Sequence, residues 1–167
     1  HQHFVLAEEL SALENILLQM GPPQVWRPLR LKKQIVVIED LARKYGLEVP
    51  LQKKISELSV GEQQRVEILK SLIHHPQILI LDEPTAGLDP IGAAAFDRLT
   101  KELQETLGLT VFLITHDLDT LAATCDRIAV LSDGKVLAIG PLDEVRKNPH
   151  PWIQEYFSGP RGRAAAR

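Results

Sequence analysis

Two apolar runs in this chain end in side chains that can do chemistry. "ILILDEP" (78–84) closes on Asp82 and Glu83, and "TVFLITHD" (110–117) closes on His116. A carboxylate at such a position can hold Mg²⁺, directly or through water. A second carboxylate beside it can take a proton from an attacking water, and an imidazole at a neighbouring strand end can orient that water against a phosphate. A third candidate is "LSVGEQQRVEILK" (58–70), where Ser59 and Gly61 stand just ahead of an amphipathic run. The amides and dipole of a helix start favour an anion, the Ser59 hydroxyl is a donor to it, and Gly61 admits a close backbone approach. Each feature also has a plainer reading. Asp82-Glu83-Pro84 can be a solvated turn, His116 a structural residue at a strand end, and Ser59 an ordinary N-cap with Glu62 in the first turn.

The elements that must carry these residues follow from periodicity. "HQHFVLAEELSALENILLQM" reads as a short extended piece and then a helix with Leu10, Leu13 and Leu17 on one face. "GPPQVWRP" (21–28) interrupts it with three prolines. Leu31, Ile35, Ile38, Leu41, Ala42 and Tyr45 recur at helical spacing and stop at Gly46. The helix after Ser59 turns Val66, Leu69 and Ile73 inward and Arg65 and Glu67 outward. After residue 76 the pattern changes. Residues 78–82 and 110–116 read as strands buried on both faces of a parallel sheet. Phe96, Leu99, Leu103 and Leu107 mark the helix between them, ended by Gly108. A helix at 117–125 and a hairpin at 127–140, turning at Asp133-Gly134, complete the pattern. Strand, helix, strand, helix predicts an α/β fold, with residues 1–75 as a helical part, 76–148 as an α/β part and 149–167 as a terminal helix and basic tail.

Composition bounds the partners. The 167 residues are 44% apolar and 25% charged, an ordinary globular balance for about one domain. A net charge of −3 gives no general pull toward nucleic acid. Arg161, Arg163 and Arg167 form the only basic cluster, read as solvated, with a membrane-surface or partner contact as the alternative. Cys125 is the only cysteine, so no intrachain disulfide forms, which suits a reducing compartment; it reads as a small core residue. No apolar run approaches the ~18 residues of a membrane span. The start at His1 without methionine or signal peptide suggests a fragment.

Taken together, the motifs resemble those of the ATP-binding subunit of an ABC transporter. "LSVGEQQ" resembles the signature loop, "ILILDEP" the Walker B strand, "AGLD" (86–89) the D-loop and "THD" the switch histidine, in the family's order; Gln2 in "HQHF" resembles the Q-loop glutamine. The resemblance implies a partial P-loop NTPase (RecA-like) core with parallel strands plus the ABC helical subdomain, with ATP and Mg²⁺ as cofactors. It implies that Asp82 and Gln2 hold the metal, Glu83 is the general base and His116 positions the γ-phosphate and water. Ser59, Val60, Gly61, Glu62 and Gln63 would contact the γ-phosphate held by a second ATPase subunit, with Asp89 at the dimer contact. The partners implied are a second ATPase subunit and integral membrane permease subunits, at the cytoplasmic face of the inner membrane.

The match covers only about the second half of such a domain. The phosphate-loop pattern G-x-x-x-x-G-K-[ST] does not occur in the sequence, which predicts poor ATP binding and no hydrolysis by the polypeptide alone. Strands that lack their usual neighbours also predict uncovered apolar sheet surface. The first half resembles importers of sugars or nucleosides. "DEPTAGLDPIGAAAFDRL", "THDLDTLAATCDRIAVL" and "HPWIQEYFSGPRGRAA" resemble phospholipid-trafficking ATPases, which suggests a chimera with a seam at Leu81–Thr85. In the last of these segments Trp152, Ile153, Tyr156 and Phe157 share a helical face expected to dock onto the body or a sister subunit. The rival readings are a module that lends only its signature helix, a soluble ABC ATPase acting on ribosomes or DNA, and a chimera that folds without function.

Overall fold

The computed structural model describes residues 6–20 and 28–158. Gln2, the proline-rich break and the Arg161–Arg167 tail lie outside them. Helix α1 (Ala12–Gln19) starts where the Ser11 side chain accepts from the Glu14 amide and the Glu14 side chain accepts from the Ser11 amide. Helix α2 (Pro28–Lys44) gives way to Gly46, whose φ of +64° is the left-handed conformation that the sequence anticipates after a helix. A 3₁₀ turn (Ile55–Glu57) leads into α3 (Val60–Leu72).

Strands β1 (Ile78–Asp82) and β2 (Thr110–Ile114) pair in parallel, with Ile80 opposite Phe112 and Asp82 opposite Ile114. Helix α4 (Pro90–Leu107) is the crossover between them. Its ends are specified locally. Asp89 caps the start, Pro90 sits at the first turn, and Gly108 closes the helix with φ +65°. Helix α5 (Leu118–Thr124) follows, then the antiparallel hairpin of β3 (Ile128–Ser132) and β4 (Lys135–Gly140). Asp133 and Gly134 both have positive φ, as a tight two-residue hairpin turn requires. Short α6 (Leu142–Val145) and α7 (Pro151–Ser158) end the described chain. The α/β pattern expected from the sequence is present, and among the described residues no helix is long and apolar enough to cross a membrane.

Two apolar cores hold these elements. The larger joins Ile16, Ile38, Val66 and Leu69 to Leu79, Phe96, Leu103 and Leu109, and so draws on residues from both sides of position 75. The smaller gathers Leu118, Ile128, Val130, Val145, Ile153 and Phe157, with Cys125 packed half-buried against it. Between α4 and α5 the buried Asp97 accepts from the Thr120 hydroxyl at 3.3 Å. Burial pushes the Asp97 carboxyl above its ordinary range.

One sequence expectation is corrected. β1 and β2 are not buried on both faces. Leu79, Leu81 and Val111 face the larger core, but Ile78, Ile80, Phe112 and Ile114 are 60, 66, 60 and 45% exposed. A continuous apolar run signals a strand built for two covered faces. Among the described residues helices pack on one face only, and the uncovered apolar surface expected of strands without their usual neighbours is what results.

Candidate active site

The ends of β1 and β2 bring two of the anticipated residues into contact. His116 Nδ1 lies 2.7 Å from Glu83 Oε1. An ionised carboxylate only accepts, so the imidazole donates through Nδ1. The other carboxylate oxygen accepts from the Thr115 hydroxyl at 3.3 Å. Parallel register makes this meeting possible, because it aligns Asp82 with Ile114 and so sets the residues that follow each strand side by side. The Glu83 amide extends the ladder by donating to the Ile114 carbonyl at 2.8 Å. Glu83 itself has φ +45°. Such a conformation in a non-glycine residue costs roughly 1–3 kcal/mol and persists only where its surroundings enforce it. Here the ladder bond before it and a turn after it, with the Ala86 amide donating to the Glu83 carbonyl at 3.1 Å, fix the backbone.

The loop that carries His116 is pinned on both sides. The Asp117 amide donates to Thr115 Oγ1 at 3.1 Å, and the Asp117 side chain caps α5 by accepting from the Asp119 amide at 2.9 Å. The Tyr156 hydroxyl, on α7, donates to the His116 carbonyl at 2.9 Å.

Ser59 forms a complete capping box with Glu62. The Glu62 amide donates to Ser59 Oγ at 3.4 Å, and Glu62 Oε2 accepts from the Ser59 amide at 2.8 Å and from its hydroxyl at 2.7 Å. The Ser59 hydroxyl and backbone bonds hold the Glu62 carboxyl below its ordinary range. The first-turn amides of Val60 and Gly61 have no partner within the helix, so they are the donors open to an anion. Among the described residues, Gly61 has no closer neighbour than Leu88, which a Cβ there would meet at 4.0 Å. Gln63 turns away and donates to the Ile55 and Leu58 carbonyls at 3.1 and 3.0 Å.

Asp89 caps α4, accepting from the Ile91 and Gly92 amides at 2.9 Å each. Among the described residues no hydrogen bond or ion pair joins Ser59, Glu62, Gln63 or Asp89 to Asp82, Glu83 or His116. The link between the two regions is Gln64, whose buried side chain donates to the Pro84 carbonyl, in the turn just after Glu83. Sequence reasoning passed over Gln64 and Thr115, although both lie inside the quoted motifs. A polar residue on the inward face of α3 was the available signal for Gln64. Tyr156 was anticipated on a helical face docking onto the body or a sister subunit, and nothing local points from it to His116.

Asp82 is exposed at the carboxyl end of β1. Mg²⁺ takes one or two carboxylates plus phosphate oxygens and water rather than a full protein cage. A single exposed carboxylate beside Glu83 fits that requirement, and among the described residues no cluster of three or more His, Cys, Asp or Glu offers an alternative cage.

Comparison with known proteins supplies the family. A family model described as "ABC transporter" matches residues 1–86, just over half of the 167 residues. The chain belongs to the ABC transporter family. Similar family members include the methionine import ATP-binding protein MetN of Xanthomonas campestris pv. campestris, 38% identical over 158 residues, covering 94% of this chain and 46% of the relative. MetN of Bacillus subtilis is 34% identical over 156 residues, covering 93% and 45%. The chain thus spans about half the length of the curated relatives it matches. Among solved structures, the dimeric post-hydrolysis state of the ATP-binding cassette MJ0796 bound to ADP and Pi has a TM-score of 0.65 and 32% identity, covering 85% of this chain and 61% of that one. The structure of cbiO1 from Clostridium perfringens, part of the ABC transporter complex cbiONQ, has a TM-score of 0.69 and 30% identity, covering 98% and 63%. The fold is that of ABC ATPase domains, with the parallel strands of a P-loop NTPase core. The relatives named are methionine importers, not the sugar, nucleoside or phospholipid systems that the two halves separately resemble. Their alignments, over 94 and 93% of this chain, run across Leu81–Thr85.

Proposed function

We propose that this chain is the hydrolytic part of an ATP-binding subunit that couples ATP hydrolysis to transport. The observation that carries the reading is the 2.7 Å contact between Glu83 and His116 at the ends of two parallel strands. In this reading Glu83 accepts the proton of the attacking water, with an oxygen lone pair left after its bonds to His116 and Thr115. His116 holds the carboxylate and faces the γ-phosphate. Asp82 holds Mg²⁺, assisted by Gln2, which also reports to the membrane partner; the ion supplies neutralising charge to the phosphates. Ser59, Val60, Gly61, Glu62 and Gln63 present the α3 start to a nucleotide held by a second ATPase subunit, and Asp89 lies at the contact between the two. In this reading α3's start and the Glu83 pair are two half-sites that serve different nucleotides. Residues 1–75, 76–148 and 149–167 then act as the helical part, the core and the terminal helix with its tail.

The setting we propose is peripheral, on the cytoplasmic face of the inner membrane, against integral permease subunits. Cargo is met by those subunits. The relatives' names favour import of methionine or a similar small solute over the lipid or sugar/nucleoside cargo suggested by the motifs.

Joined to a segment carrying the missing phosphate loop, the chain is expected to release phosphate in a Mg²⁺-dependent way, and Glu83→Gln to cut turnover by roughly 10²–10⁴-fold. No release from the joined polypeptide, or equal release with Glu83→Gln, sinks the reading. Turnover by the chain alone, abolished by Glu83→Gln, overturns its dependence on a phosphate loop.

A second reading has one observation of its own. The capping box at Ser59 and Glu62 is complete within the chain, as suits a module lending only its signature helix. Turnover by an added phosphate-loop subunit, lost on Ser59→Arg but kept on Glu83→Gln, selects it.

A further inference from the structure

The terminal helix α7 reaches back to the strand ends. Tyr156 lies 40 residues from His116 in sequence, yet its hydroxyl meets the His116 carbonyl at 2.9 Å. The ring is clamped. It stacks on Trp152 at 5.0 Å with the planes 10° apart, and Phe157 meets it edge-on at 5.3 Å. Ile153 and Phe157 fix α7 in the smaller core, Ile153 with no exposed surface. The donor therefore stands on a held element rather than at the end of a free side chain.

We propose that Tyr156 is a positioning residue, whose hydroxyl anchors the main chain of His116 and so keeps the imidazole on Glu83. This rests on the reading of Glu83 and His116 given above. The loop from Thr115 to Asp117 belongs to neither β2 nor α5. Its other bonds run within the site or to α5: Asp117 amide to Thr115, Thr115 hydroxyl and His116 ring to Glu83, and the Asp119 and Leu121 amides to Asp117. Among the described residues, Tyr156 supplies the bond to this loop that comes from beyond the β1 end and α5. It acts on the carbonyl and leaves the ring free to make its contact. Burial, with the Glu83 and Asp117 carboxylates adding to it, raises the Tyr156 hydroxyl above its ordinary range, so the group stays a donor around neutral pH.

The test uses the chain itself, labelled on histidine and observed by NMR without nucleotide. His116 is identified among the six histidines by the signal missing in His116→Gln. Tyr156→Phe keeps the aromatic stack and removes only the hydroxyl. It is expected to move the His116 ring signals and to speed amide exchange at Asp117 about five- to tenfold, the change that one net hydrogen bond is worth. Glu83→Gln is expected to move the same ring signals from the other side. If Tyr156→Phe leaves both the His116 signals and Asp117 exchange at their original values, the proposal is overturned, whether or not Tm falls. No step uses ATP, so a failure of hydrolysis in the joined polypeptide leaves this result standing, and the reverse also holds.

Discussion

The two candidate half-sites are built in opposite ways. The start of α3 is assembled within four residues, Ser59 to Glu62, and every bond of its capping box is local. The Glu83–His116 pair joins residues 33 apart and depends on β1, β2, the α4 crossover and, through Tyr156, on α7. A local device survives damage elsewhere in the fold, whereas a tertiary one reports on the whole. The two are also perturbed in different ways. The cap draws on hydrogen bonds to ionised Glu62, while the strand-end pair draws on a backbone held at φ +45°.

Substitutions can break this contrast or sharpen it. The largest stability effect is expected from Leu79→Ala, because Leu79, the second residue of β1, is buried in the larger core. Removing such a side chain costs about 2–5 kcal/mol. Urea unfolding should show that loss, and NMR should show the His116 ring signals disturbed while the α3 cap signals stay. Disturbance of the cap as well would erase the distinction. Ser59→Ala should cost less, about 0.5–2 kcal/mol. It also carries a pH signature. Glu62 is held below its ordinary range, so its contribution is present above that range and is lost as pH falls through the lowered value. Unfolding midpoints should therefore converge for parent and Ser59→Ala at acid pH and separate toward neutrality. The smallest effect is expected at Gly61, where a methyl group has room. Gly61→Ala should raise stability by about 0.5–1 kcal/mol, since glycine in a helix is poorly suited to it. A clear loss instead would mean that Gly61 is packed within the chain after all.

How far the sequence could be read follows the same division. The helix stops at Gly46 and Gly108, the Asp133-Gly134 turn and the cap at Ser59 depend on neighbours within a few residues, and each was legible. The order of strands and the meeting of Glu83 with His116 were legible because two apolar runs ended in chemically suited residues. The uncovered face of Ile80 and Phe112 was half legible. Their run looks the same whether or not a second layer is present, so it suggested burial, and only the missing motif argued otherwise. The positive φ of Glu83, the Gln64 bond to Pro84 and the Tyr156 bond to His116 were not legible. Each is decided by where distant backbone groups come to rest, and side-chain type alone does not encode that.

The conformation of Glu83 has a further consequence. A single base change turns either glutamate codon into a glycine codon, and glycine occupies φ +45° without strain. A gene under pressure only to keep its product intact would gain by drifting that way. A glutamate held at that position is thus a choice that durability alone does not reward, and sequencing survivors of a screen for abundance without transport should find glycine there.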